Sequence, residues 1–215
     1  MKHFVFDVPA TPELPYLPGQ FVSITQEIDG RKITRAYSTA SPACGNRFEL
    51  CLNRVQDGLL SPWLFNLEPG ETVEIKGPLG VFTWRSPVRD SVLVATGTGV
   101  VPFRGMLQSY LASGGSARIS LVLGVRYEAS LLYRDEFEES AAKYPNFRFV
   151  PVLSRPGADW AGRSGHVQEH VLVAIGERRD VDVYVCGMKT MVDDMRVRLR
   201  EIGLDRKQII FEKYD

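Results

Sequence analysis

The residues best suited to gripping a phosphate are Gly97-Thr98-Gly99. They follow an apolar run, Val92-Leu93-Val94-Ala95-Thr96, and precede Pro102, where a helical pattern opens. Strand, glycine turn and helix start let backbone N–H groups approach a pyrophosphate with no Cβ in the way, at the positive end of a helix dipole. Pro102 stands where the dinucleotide fingerprint has its third glycine, and an ordinary strand-to-helix turn has the same outline. Arg35-Ala36-Tyr37-Ser38 offers a planar fork of donors for a diphosphate, an aromatic face for a planar ring, and a hydroxyl. The same four residues equally suit cross-strand packing with a solvated arginine. Gly58 and Ser61, at the start of another helical run, would serve a phosphate or simply cap the helix. Cys186 ends an apolar run, either as a small buried residue or as a thiol facing a crevice.

Two kinds of framework must hold these residues. Before Pro87 the chain reads as short strands at 4–8, 20–28, 31–38, 47–53, 72–76 and 81–84, broken by glycine and proline turns, with Asp29-Gly30 as a hairpin signal. That pattern predicts a small antiparallel barrel, interrupted by one helix over 59–67. Beyond Pro87, strands at 92–96, 117–124, 147–153, 181–186 and 208–213 alternate with helices, among them 131–143 and 188–202, the latter stopped by Gly203. Alternation predicts a doubly wound, five-stranded parallel α/β sheet. Its ligand would lie at the carboxyl ends of the strands, with Gly97, Thr98, Gly99, Gly124, Ser154 and Cys186 around one crevice. The domains are then 1–87 and 88–215.

Composition narrows the classes. Over 215 residues, 26 Lys and Arg balance 26 Asp and Glu, so no bulk attraction to nucleic acid or an anionic membrane is expected. Three scattered cysteines make neither a disulfide framework nor a CxxC metal or iron–sulfur pattern. No run is long enough to span a membrane, and no signal peptide is evident. A reduced, cytoplasmic, monomeric protein without a metal is the expectation.

Arg35-Ala36-Tyr37-Ser38 followed by Gly58-x-x-Ser61 resembles the flavin site of the ferredoxin–NADP(+) reductase family. Gly77-Pro78-Leu79-Gly80, Gly97-Thr98-Gly99-x-x-Pro102, Cys186-Gly187-Met188-Lys189-x-Met191 and the terminal Glu212-Lys213-Tyr214 look like that family's remaining motifs, in its order. The resemblance implies a Greek-key FAD-binding barrel followed by an NAD(P)-binding domain. It implies that Arg35, Gly58 and Ser61 hold the FAD pyrophosphate, that Tyr37 and Tyr214 meet the flavin ring, and that Ser38 hydrogen-bonds the flavin atom N5. Gly97, Thr98 and Gly99 would hold a nicotinamide nucleotide. Cys186 would sit beside the nicotinamide during hydride transfer, with Glu212 in the same catalytic group. The family's barrel has one more strand upstream of the segment matching 1–8, so this barrel is expected to be short of its first strand.

By the same resemblance the chain moves hydride between NADPH and FAD and passes single electrons to a ferredoxin- or flavodoxin-type carrier. NADP(H) is placed ahead of NAD(H) because Ser154 and Arg155 offer a hydroxyl and a cation to a 2′-phosphate, with Arg126 and Arg163 at positions where relatives also carry arginines. Two alternatives remain: the NADH-dependent reductase component of a multi-protein oxygenase, and a flavin- or nucleotide-binding subunit without turnover.

Overall fold

The structure is a computed structural model that describes residues 1–214. The chain divides into two compact units, one made of Met1–Trp84 with Val101–Ala112 and the other of Arg85–Val100 with Ser113–Asp215.

The first unit contains strands β1 (Lys2–Asp7), β2 (Phe21–Ile28), β3 (Arg31–Ser38), β4 (Arg47–Leu52) and β5 (Glu74–Leu79), and a short helix α1 (Leu60–Phe65). All strand pairs are antiparallel: β1 lies on β4, β2 is flanked by β3 and β5, and a Thr39–Leu50 bridge links the two sheets. The β2–β3 hairpin turns at Asp29 and Gly30, both at positive φ (50° and 70°), the geometry of a two-residue turn matched to strand twist. Val22, Ile24, Phe48, Leu50, Leu60 and Leu64 are almost wholly buried and form the core. Each contributes about 1.5–3 kcal/mol by leaving water.

Three expectations change here. Residues 81–84 are not a strand: Val81 is 93% exposed, Phe82 is buried, and the Thr83 N–H turns back onto the Val81 carbonyl. Apolar residues around a glycine turn imitate a strand when only one of them is an anchor. Strand β5 instead runs on through Gly77 and Pro78 to Leu79, and the helix expected over 59–67 is confined to α1.

Helix α2 (Val101–Ala112) packs with the barrel strands. The Arg104 guanidinium donates to the Ala40 carbonyl at 2.9 Å and pairs with Glu49 at 2.6 Å. Gly105 is required there, since a Cβ would stand 2.7 Å from the Ser41 carbonyl oxygen. The Trp84 indole N–H donates to the Met106 carbonyl at 3.0 Å.

The second unit is one parallel sheet of β6 (Ser91–Thr96), β7 (Ile119–Val125), β8 (Phe147–Leu153), β9 (Arg163–Ser164), β10 (Asp182–Met188) and β11 (Ile209–Tyr214), in the order β11-β10-β6-β7-β8-β9. It has six strands rather than five. The extra one, β9, is two residues long and too short for any periodicity to mark. Val92, Leu93, Val94 and Ala95 are all buried, as strands covered on both faces must be. Helices α3 (Arg134–Lys143), α4 (Val167–Ile175) and α5 (Lys189–Glu201) complete the layers. Helix α5 ends where Gly203, at φ 92°, lets the Leu204 N–H reach the Leu199 carbonyl at 3.0 Å. The chain winds outward from β6 in one direction and then, at β10, in the other, which puts a topological switch point between β6 and β10.

Candidate functional site

The second unit's candidate site is the pair of strand ends at that switch point. Residues Gly97–Val100 form a tight 3₁₀ turn directly after β6. Its two glycines are needed for different reasons. Gly97 has φ 54°, and a Cβ there would meet nothing within 4 Å. Gly99 lies so close to the end of β10 that a Cβ would stand 2.2 Å from the Cys186 carbonyl oxygen and 2.9 Å from the Gly187 Cα. On the facing strand, Gly187 has φ 143° and would push a Cβ to 2.3 Å from the Thr96 Oγ1. That hydroxyl accepts the Met188 N–H at 3.4 Å. Backbone therefore touches backbone between β6 and β10, while Gly97 borders open space. A turn of this kind could receive a pyrophosphate, which wants N–H groups and no side chain between.

Gly124 ends up with a packing duty instead. A Cβ there would lie 2.4 Å from a Val167 methyl, so the glycine admits α4 against the sheet.

Cys186 is fully buried, so its thiol does not open onto a crevice. Burial pushes its pKa well up, the nearby Glu212 carboxylate adds to the rise, and a hydrogen bond with Tyr214 offsets part of it. Cys186 pairs with Glu212 across β10 and β11, and Met188 pairs with Tyr214. Such a cysteine stays a neutral thiol. Alkylation of the native protein is expected to modify Cys44, which is exposed, and to spare Cys51 and Cys186, which are buried. Mass spectrometry after brief iodoacetamide treatment checks this; rapid label at Cys186 would contradict the burial.

A cationic edge forms at the ends of β7, β8 and β9. The Ser154 N–H donates to the Val125 carbonyl and the Arg155 N–H to the Arg126 carbonyl, both at 2.9 Å, which continues the β7–β8 pairing past both strands. Arg163 sits on β9 opposite Val152. Arg126, Arg155 and Arg163 are thus on three neighbouring strand ends, all exposed, and none makes an ion pair among the described residues. Trp160 stands beside Arg163, and its role was not read from the sequence. Its indole N–H donates to the Arg163 carbonyl at 2.9 Å, and its ring leaves room only for glycine at 162, where a Cβ would come within 2.4 Å. The Gly162 adjacent to Trp160 and Arg163 was the available signal.

In the first unit, Arg35 and Tyr37 stand two residues apart on β3, opposite Ile24 and Val22 of β2. Arg35 is exposed, and its guanidinium donates at 2.8 Å to the Thr34 carbonyl next to it, so it is a cation held by little else. Tyr37 is half-buried against the barrel core. Burial raises its hydroxyl pKa and the Arg35 charge partly counters that. Ser38 is buried at the end of the strand. Helix α1 packs on β3. Ser61 lies in the first turn of α1, where its hydroxyl oxygen accepts the Val55 N–H at 2.9 Å and so braces the loop that carries Gly58. An available guanidinium and a half-buried ring on one strand fit the diphosphate and planar ring of a dinucleotide cofactor.

Residues 1–84 match the oxidoreductase FAD-binding domain family and residues 93–197 the oxidoreductase NAD-binding domain family. A barrel unit and a doubly wound unit with these two matches define a flavoprotein oxidoreductase that uses FAD and a pyridine nucleotide. More narrowly, the chain belongs to the ferredoxin–NADP(+) reductase family. It is 40% identical to ferredoxin–NADP reductase B of Sorangium cellulosum, across 92% of this chain and 84% of that one. It is 31% identical to the toluate 1,2-dioxygenase electron transfer component of Pseudomonas putida across 94% of this chain, and spans only 60% of that longer protein. The fold matches a ferredoxin NADP+ reductase from Neisseria gonorrhoeae with a TM-score of 0.82 at 24% identity, over 98% of this chain and 91% of that one. Among the described residues no helix is long and apolar enough to cross a membrane, and no group of three or more His, Cys, Asp or Glu side chains could hold a metal.

Proposed function

We propose that this chain is an NADPH-linked reductase for a separate one-electron carrier of the ferredoxin or flavodoxin type. In this reading residues 1–87 hold FAD and residues 88–215 hold the nicotinamide nucleotide. The observation that carries it is the gathering of Arg126, Arg155 and Arg163 on adjacent strand ends, supported by Ser154, where a 2′-phosphate would be met by several cations. The relative from Sorangium, named for NADP, supports the same choice.

When bound, FAD would supply the conversion of a two-electron donor into one-electron steps. The chain supplies binding, orientation and shielding. Arg35 and the turn at Gly58 and Ser61 hold the FAD pyrophosphate, Tyr37 supports the ring, and Ser38 offers its hydroxyl to the flavin. Gly97, Thr98 and Gly99 receive the nucleotide pyrophosphate. Glu212 shapes the wall against which the nicotinamide is positioned, and the buried Cys186, paired with it across β10 and β11, backs that wall. Cys186 does this as a neutral thiol, not as a nucleophile.

The test is anaerobic reduction of the purified holoprotein by NADPH and NADH in parallel, read as bleaching of the flavin. NADPH is expected to be faster. Arg155→Ala should raise the KM for NADPH about tenfold or more and leave NADH nearly unchanged, since a lost charge-assisted contact is worth about 1.5–3 kcal/mol. Equal losses for both nucleotides, or a parent faster with NADH, would favour the second reading, the reductase of an oxygenase, to which the 31% identity with the dioxygenase component points. No bleaching by either nucleotide would leave a binding subunit.

A further inference from the structure

The loop that leads from β8 into β9 carries Arg155 and delivers Arg163, and every residue from Arg155 to His166 is exposed except Trp160. Strand β9 is the edge of the sheet and meets β8 at two register positions, Val152 with Arg163 and Leu153 with Ser164. The Gly165 N–H on the Leu153 carbonyl and a His170 ring nitrogen 2.8 Å from the Ser164 carbonyl oxygen hold the strand beyond Arg163. The loop before Arg163 is anchored by Trp160. Its backbone N–H closes a turn on the Gly157 carbonyl at 3.2 Å, and its indole N–H donates to the Arg163 carbonyl at 2.9 Å. The ring lies so close to Gly162 that a Cβ there would stand 2.4 Å from Cζ2. From α3, the Arg134 guanidinium lies 5.7 Å from the ring centre, within cation–π range.

Arg134 ties this anchor to the loop after β7, which carries Arg126. It pairs with Glu128, which follows Arg126 closely in that loop, and with Glu138 at 2.7 Å. A guanidinium already shared between two carboxylates has little left for a phosphate and acts as a strut. Tyr133, directly before it, has φ 55°, a left-handed backbone that an aromatic residue adopts only at a cost, so strain is tolerated where α3 begins. Glu128, Arg134, Trp160 and Arg163 thus form one chain of contacts from the end of β7 to β9. We propose that Trp160, braced by Arg134, is a positioning residue for nucleotide choice: it holds the Arg163 backbone in place beside Arg126, so that both guanidiniums meet a ribose 2′-phosphate together. The proposal rests on the NADPH reading above and deepens it. An arginine on an unpinned loop has to be ordered at each binding event, and that cost falls on NADPH alone because NADH has no phosphate at this point.

The probes are adenosine 2′,5′-bisphosphate and 5′-AMP, which differ only in the 2′-phosphate, titrated by calorimetry into the FAD-loaded enzyme. Trp160→Ala is expected to weaken the bisphosphate about tenfold and 5′-AMP less than about twofold, as loss of one well-oriented charge-assisted contact implies. Trp160→Phe keeps a ring against Gly162 but loses the indole N–H, and should weaken the bisphosphate about threefold. The KM for NADPH should rise in step in both variants, with kcat and flavin content unchanged. When Trp160→Ala is combined with Arg163→Ala, the bisphosphate should bind no more weakly than to Arg163→Ala alone, since Trp160 acts through Arg163. Additive losses, or equal losses for both probes, would make Trp160 a contact of the adenosine or a general support of the fold, and would overturn the assignment. If Arg163→Ala loses the bisphosphate while Trp160→Ala binds it like the parent, the positioning role is wrong and the NADPH reading stands. A parent that binds the two probes equally removes that reading and this role with it.

Discussion

Gly99→Ala is expected to destabilise the second unit by about 2–4 kcal/mol and to abolish reduction by NADPH, whereas Gly97→Ala is expected to cost the fold only about 1–2 kcal/mol. The contrast follows from where each Cβ would go. At 99 it would sit 2.2 Å from the Cys186 carbonyl oxygen, and both partners are backbone, so no rotamer change relieves the overlap. The end of β6 would have to part from the end of β10, taking the Thr96 hydroxyl off the Met188 N–H. At 97 the new methyl meets open space, and only the left-handed backbone at φ 54° is penalised. That open space is where a pyrophosphate is proposed to lie. Gly97→Ala should therefore be folded and flavin-loaded yet bind NADPH poorly. Urea unfolding followed through the second unit, with NADPH titration of each variant, measures both effects. Equal destabilisation by the two changes would refute the division of labour between the glycines.

That division also shows what could be read in advance. Gly-x-Gly after an apolar run marks a turn at which backbone must come close to something, and the run itself marks a strand buried on both faces. What the second glycine approaches is not a local property, because Cys186 is 87 residues further on and its adjacency depends on the strand order. The parallel rhythm after residue 87 was legible for the same reason, since each strand is a continuous apolar run and each helix has its own period. Strand β9 has two residues and no period at all. Residues 81–84 read as a strand because Val81 and Phe82 are both apolar, although only Phe82 is buried. Helix α2 is a subtler case. Its apolar positions predict a packed helix correctly, but the Arg104 pairing with Glu49 that draws it to the barrel strands crosses 55 positions and leaves no trace in periodicity. Among the site residues, Arg35 and Tyr37 were visible as a pair because side chains two apart on a strand share a face. The burial of Cys186 was not, since its covering by Glu212 and Tyr214 comes from the register of β10 with β11.

Arg35→Ala is expected to lower FAD affinity by roughly one to two decades, the effect of about 1.5–3 kcal/mol for a charge-assisted phosphate contact. The protein should otherwise remain folded. Arg35 is exposed, its guanidinium donates to the adjacent Thr34 carbonyl, and the barrel core opposite it is built from Ile24 and its neighbours. Removing an exposed side chain of this kind changes stability by about 0.5 kcal/mol or less. The other FAD candidates do not separate the two effects as well. Tyr37 packs on the core, so Tyr37→Ala would loosen the barrel along with the ring contact. Ser61 holds the Val55 N–H, so Ser61→Ala would leave that donor unpaired and disturb the loop before any phosphate is considered. Arg35→Lys should fall between parent and alanine, because it keeps the charge but loses the planar fork that can take two phosphate oxygens together. Flavin fluorescence quenching on titrating apoprotein with FAD gives the affinities, and thermal unfolding of the apoprotein gives the control. If the alanine variant binds FAD like the parent, the pyrophosphate does not lie on β3 and the flavin site must be sought elsewhere in the barrel. If it loses FAD and melts earlier to the same degree, Arg35 is a structural cation and its apparent isolation on the strand is misleading.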